Sequence, residues 1–195
     1  MPRLLFLTIF CFVLLITKLQ GQYKLDITLN DSTKISGEFR WTQDKLTQTS
    51  TKKIYKYRDI SEFIQYGENF TNHFHIIRYK RNRKNKTYRF ALGYKVYSGQ
   101  KIELYHAYFG VDRIDYKVKN KYNSNTEIFA RKRNEKYVYS LQILDGIGTV
   151  GIMKRLEEFF TDCPRIITLV KKGMINKMKT LQIVSQYEVV CPEPF

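Results

Sequence analysis

Tyr88-Arg89-Phe90-Ala91-Leu92-Gly93-Tyr94-Lys95-Val96-Tyr97 is the stretch whose reading decides the fold. Its apolar side chains Tyr88, Phe90, Leu92, Tyr94 and Val96 fall at every second position. Successive strand side chains point to opposite faces, so all five share one face of an extended segment; around a helix they would scatter. The stretch is predicted to be a strand with one apolar side, which neighbouring strands must cover.

Working outward, residues 73–79 form the preceding strand and residues 101–109 the following one, with Ile102, Leu104, His106 and Tyr108 on one side. Ser98-Gly99-Gln100 makes the turn between the last two. Between the first two, residues 80–86 carry five positive charges in seven positions. Such repulsion disfavours a packed element and places them at an exposed hairpin tip. Three strands joined by short loops pair antiparallel, so a meander is expected at the centre of the fold.

Towards the N-terminus, Tyr23, Leu25, Ile27 and Leu29 alternate with polar residues, turn formers follow at 30–34, and residues 35–41 extend again as a first hairpin. Residues 42–51 are polar and without period, hence a loop. Short strands are expected at 54–57 and 62–66. Beyond the meander, residues 110–125 are basic and rich in Asn, with an edge strand at 113–118. Residues 127–131 and 137–144 make a last hairpin, for eight or nine strands in all.

After Asp145-Gly146 the period lengthens to about 3.6. Ile152, Met153, Leu156, Phe159 and Phe160 mark one helix. Asp162 or Cys163 caps a second, with Pro164 in its first turn, Ile166, Ile167 and Val170 inward, and Lys171-Lys172-Gly173 closing it. Met174, Met178, Leu181, Val184 and Tyr187 form a third apolar stripe. The fold class is therefore α+β: an antiparallel β meander or partial barrel followed by three C-terminal helices.

The 195-residue chain has a formal charge of +16 and three cysteines. Residues 4–16 are uncharged and apolar, and as a helix they span about 20 Å, short of a bilayer core. Residues 1–21 are read as an export signal cut after Gly21, with a retained N-terminal anchor as the rival reading. Residues 22–195 then form a single α+β domain, its β-rich part at 22–145 and its helical part at 146–195, destined for the periplasm, cell surface or exterior. Loss of Arg3 and Lys18 leaves a formal charge of +14. Cys11 departs with the signal, leaving Cys163 and Cys191, an even pair in an oxidising compartment. A short turn at Gly173 folds the last two helices antiparallel and returns Cys191 towards Cys163, so a disulfide is expected, with two buried thiols as the rival.

Residues 30–37 (Asn-Asp-Ser-Thr-Lys-Ile-Ser-Gly), residues 99–105 (Gly-Gln-Lys-Ile-Glu-Leu-Tyr) and Phe159-Phe160-Thr161-Asp162-Cys163-Pro164 with a late Cys191 resemble secreted bacterial proteins. In those, a β-rich N-terminal part precedes a helical C-terminal part. The resemblance implies export and this order of elements; it brings no activity with it.

No catalytic constellation stands out. Gly146-Ile147-Gly148-Thr149-Val150-Gly151 matches the dinucleotide fingerprint, but no second parallel strand or acidic residue completes the unit, so the glycines are read as a turn and no cofactor is expected. His73 and His75 share a strand face, and with His106 would give three imidazoles for a hydrolytic metal ion. Against this, the strand at 88–97 separates His106 from the pair by about 9.5 Å. No serine sits in a nucleophile elbow, and bonded cysteines leave no thiolate. The expectation is a non-enzymatic envelope or extracellular binding module. Lys80, Arg81, Arg83, Lys84 and Lys86, beside Tyr79 and Tyr88 and joined by Arg131-Lys132-Arg133, are its candidate surface for an anionic glycan or lipid or another envelope protein. Solvated loops are the plain alternative for that charge, and export argues against nucleic acid.

Overall fold

The computed structural model describes residues 22–42, 44–80, 83–109, 125–143 and 151–191. The expected export signal, the edge strand at 113–118, Arg81 and all of the glycine motif except Gly151 lie outside those residues. The first hairpin forms as alternation dictates. Leu25 and Ile27 of β1 (Gln22–Leu29) and Phe39 of β2 (Lys34–Thr42) are fully buried. The segment expected as a loop contains β3 (Lys45–Gln48), which pairs with β2. Only Leu46 of its four residues is apolar and buried, too little for a period to show, and its partners on β2 hold it extended. β4 (Ile54–Lys56), a 3₁₀ turn (Tyr57–Asp59) and β5 (Ile60–Tyr66) follow, and β5 crosses back to lie against β1.

The central meander is β6 (Thr71–Lys80), β7 (Arg89–Ser98) and β8 (Ile102–Phe109), and the last hairpin is β9 (Asn125–Lys132) with β10 (Val138–Ile143). The ten strands run β10-β9-β8-β7-β6-β5-β1-β2-β3-β4. In addition, β10 pairs parallel to β6, Val138 opposite Tyr79 and Tyr139 opposite Lys80. Strands β6 to β10 therefore close into a five-strand ring, and β1 to β5 form a curled sheet growing from one edge of it.

Three apolar groups follow. Ile77, Tyr79, Ala91, Tyr105, Ala107, Phe129 and Val138 fill the ring. Gly93 stands where the ring leaves little room for a side chain, since a Cβ there would meet Ile77 and the Tyr105 Cβ at 3.3 Å. Gly93→Val is expected to overpack the ring and cost about 1–2 kcal/mol, read from the urea midpoint. In the curled sheet, Phe63 stacks on Phe74 at 5.0 Å, Trp41 stands edge-on to both, and its Nε1 donates to the Tyr57 hydroxyl. Outside the ring, Ile102, Leu104, Ala130 and Leu141 face the helices.

Those helices are α1 (Ile152–Phe159), α2 (Pro164–Lys171) and α3 (Thr180–Val190). Ile152, Leu156 and Phe159 are the buried stripe of α1; Cys163 is the N-cap of α2, with Pro164 in its first turn. Gly173 takes φ +72 just past α2, a conformation natural to glycine. Cys163 and Cys191 are joined, with Cα atoms 5.7 Å apart, so the expected disulfide is present. The segment from Phe159 to Pro164 thus fastens the cap. Phe159 and Phe160 are buried, and Asp162 pairs with Lys132 of β9 at 2.6 Å while accepting the Tyr187 hydroxyl of α3.

Two expected faces differ. The third stripe is Thr180, Ile183, Val184 and Tyr187; Met174, Met178 and Leu181 are exposed. The stripe turned because residues 174–179 are an irregular connection, so helical spacing cannot be carried across them. On the expected apolar face of 88–96, Leu92 is buried, but Tyr88, just before β7, and Val96 are about half exposed, at 45% and 51%. The curled sheet covers only the middle of that face, and a bulge between Lys95 and Tyr97 re-aims the end of the strand. Among the described residues, no helix is long and apolar enough to cross a membrane.

Candidate functional site

β5 and β6 pair so that Glu62 lies opposite His75, with His73 two positions before it on the same face. Both imidazoles turn to one carboxylate oxygen. His73 Nε2 is 2.9 Å and His75 Nδ1 3.4 Å from Glu62 Oε2, and the rings lie 4.5 Å apart. Among the described residues, these three are the one set of His, Cys, Asp and Glu side chains close enough to share a metal ion. His75 is mostly buried, with the Tyr105 ring nearly perpendicular to it at 5.9 Å. Burial, then the charges of His73 and Lys95, hold its pKa down at about 4 against the pull of Glu62 and Glu103. At neutral pH it is an uncharged imidazole and its contact with Glu62 is no ion pair.

His106 does not join them. It lies opposite Tyr94 on β7, whereas His75 lies opposite Gly93, so the two histidines project from opposite faces of the sheet. Burial lowers its pKa as well. The three-imidazole set is thus not assembled, and a carboxylate stands in the third place. Sequence spacing does not link Glu62 to the histidines, because it is eleven positions from His73. The signal was there in the alternation of β5, but only the hairpin register brings the two together.

Beside this cluster, at the mouth of the ring, Glu103 is only 2% exposed. Its Oε1 meets Lys95 Nζ at 3.1 Å and Arg133 at 3.4 Å; its Oε2 accepts from Arg131 Nε at 3.0 Å and from the Tyr105 hydroxyl at 2.7 Å. Burial alone would raise its pKa, but hydrogen bonds from Arg131, Tyr105 and Lys95 and the Arg131 charge outweigh it and hold the carboxyl at about 2. Arg131, Lys132 and Arg133 are accordingly paired with Glu103, Asp162 and the Ser98–Gly99 turn, although the Arg133 side chain stays about half exposed, at 49%. In sequence, Glu103 is merely the polar alternate of a strand.

The basic hairpin tip divides in two. Arg83 is folded inward, ion-paired to Glu135 at 2.5 Å with its guanidinium over Tyr139 and Phe159. Lys84 and Lys86 are exposed. Tyr79 is buried in the ring, so of the two expected aromatics only Tyr88 is presented to solvent. It joins two others: Tyr88 lies 5.5 Å from Phe90 and 5.4 Å from Tyr137. Cations sit over these rings, Arg78 over Phe90 at 5.9 Å, and Lys80 and Lys136 over Tyr137 at 4.4 and 5.9 Å. None of the three cations has a carboxylate partner among the described residues.

A shallow hollow at the β7–β8 turn, lined by Tyr97, Gly99, Arg133 and Glu188, is occupied by its own contacts: Glu188 accepts from the backbone N–H groups of Lys101 and Ile102, and Arg133 donates to the Gly99 carbonyl. Compared with protein-family models, curated proteins and solved structures, the chain matches none of them.

Proposed function

We propose that this chain is an exported, non-enzymatic binding module that takes an acidic polysaccharide of the cell envelope or exterior on the face built by Tyr88, Phe90 and Tyr137 with Arg78, Lys80 and Lys136. The observation that carries the reading is a row of one exposed ring, Tyr88, and two half-buried rings, Phe90 and Tyr137, interleaved with cations that have no acidic partner among the described residues, where the curled sheet stops short of covering β7. The apolar C–H face of a sugar stacks on an aromatic ring, and ammonium and guanidinium groups take its sulfate or carboxylate groups. The disulfide supports an oxidising compartment, and the resemblance to secreted bacterial proteins points the same way.

Purified protein is expected to be retained on a sulfated-polysaccharide resin. Replacing Lys80, Lys84 and Lys136 with glutamine should lower the eluting salt concentration far more than replacing Lys154, Lys172 and Lys177, equally basic but on the helical part. Tyr88→Ala with Tyr137→Ala should weaken binding roughly tenfold, since each stacked ring adds about 0.5–1.5 kcal/mol. Equal loss from the two lysine sets, with no effect of the rings, would reduce the interaction to bulk charge. Preference for anionic lipid vesicles over the polysaccharide would overturn the choice of ligand.

A further inference from the structure

We infer that Glu62, His73 and His75 form a binding site for one divalent transition-metal ion, bridging the curled sheet to the ring. An imidazole nitrogen or carboxylate oxygen sits about 2.0–2.2 Å from zinc, and at bond angles between octahedral and tetrahedral neighbouring donors are then about 2.9–3.4 Å apart. The distances from Glu62 Oε2 to His73 Nε2 and His75 Nδ1 are 2.9 and 3.4 Å. All three donors lie within 4.8 Å of one another, so an ion enters with side-chain adjustments alone.

The set is chemically selective. Two imidazoles and a carboxylate suit first-row ions of the zinc and copper end of the series, whereas calcium and magnesium prefer all-oxygen sites. Lys95, the cation on the adjoining strand, is drawn to Glu103 at 3.1 Å. The Tyr105 ring packs nearly perpendicular to that of His75, at 5.9 Å. His73 and Glu62 remain accessible, their side chains 48% and 35% exposed, which leaves an entry path and open coordination positions for water.

Position gives the ion a structural consequence. Glu62 is on β5 and both histidines on β6, the ladder that, among the described residues, joins the curled sheet to the ring. Metal binding closes that seam with bonds stronger than the ladder, so it should raise the temperature at which the protein unfolds.

The test uses untagged protein with its disulfide intact and zinc ion alone as the probe. Titration calorimetry is expected to show one equivalent bound at micromolar dissociation constant or tighter, with a rise in Tm in excess zinc. Glu62→Gln, His73→Gln and His75→Gln should each weaken binding at least tenfold and abolish the Tm rise, while His106→Gln leaves both unchanged. Imidazole NMR of the unsubstituted protein gives the same answer without variants, because zinc should move His73 and His75 resonances and not those of His106. Absence of saturable binding, binding that survives the three substitutions, or a shift confined to His106 would overturn the site. None of these outcomes bears on polysaccharide retention, which depends on residues of the opposite sheet face.

Discussion

Replacing both Cys163 and Cys191 with alanine is expected to lower the unfolding free energy by about 3–4 kcal/mol, the loop-closure entropy of a cross-link spanning 28 residues. Both cysteines are almost fully buried, at 4% and 5% exposure, so alanine avoids leaving buried thiols behind. The loop they close contains α2 and α3, whose Ile166, Val170, Ile183, Val184 and Tyr187 cover the outer face of the ring. With the link gone, the unfolded chain regains the freedom of that loop, while native packing is little altered. The urea midpoint should fall by roughly 1–2 M, and dithiothreitol should reproduce the loss in the parent protein and not in the variant. An unchanged midpoint would mean that α2 and α3 are held by apolar contact and the Asp162 pairings alone.

Glu103→Gln is expected to cost about 2–3 kcal/mol, below the ~3–5 kcal/mol of a fully enclosed pair because Lys95 and Arg133 reach solvent. The amide keeps the shape, loses the charge, and turns N–H groups towards donors already aimed at the site. The same carboxylate predicts an acid limb. Its folded pKa of about 2 lies below its ordinary value of 4.5, so the unfolded chain takes up the proton first as pH falls. Stability from this group is complete above about pH 4.5 and drains away as pH drops towards 2. Asp162, its carboxyl also held low despite burial by bonds from Lys132 and Tyr187, adds in the same direction. Urea midpoints between pH 2 and 6 should fall less steeply with acid in Glu103→Gln than in the parent. Parallel curves would show that Glu103 does not titrate as its surroundings dictate.

How much of this was legible in the chain depended on length scale. Alternation located nearly every strand of the ring because each carries several apolar residues on one face, and 3.6-residue spacing located the helices for the same reason. β3 had one buried residue and no detectable period. Helical spacing carried through 174–179 misplaces the stripe of α3, because those residues are not helical. The candidate site was half visible: His73 and His75 announced themselves at spacing two, but the group they converge on is in another strand.

Local pattern and composition alone determined the β-then-α order, the central meander, the Pro164 helix start and the cysteine pair, since each is a property of neighbours in the chain. Tertiary structure alone decided that β10 returns to β6 and closes a ring, that Glu62 and not His106 faces the two histidines, and that Arg83 and Arg131 spend their charge inside the molecule while Arg78, Lys80 and Lys136 do not. The reason is register. Shifting a strand by one residue exchanges its faces, and nothing within a single strand states which residue of another will stand opposite it.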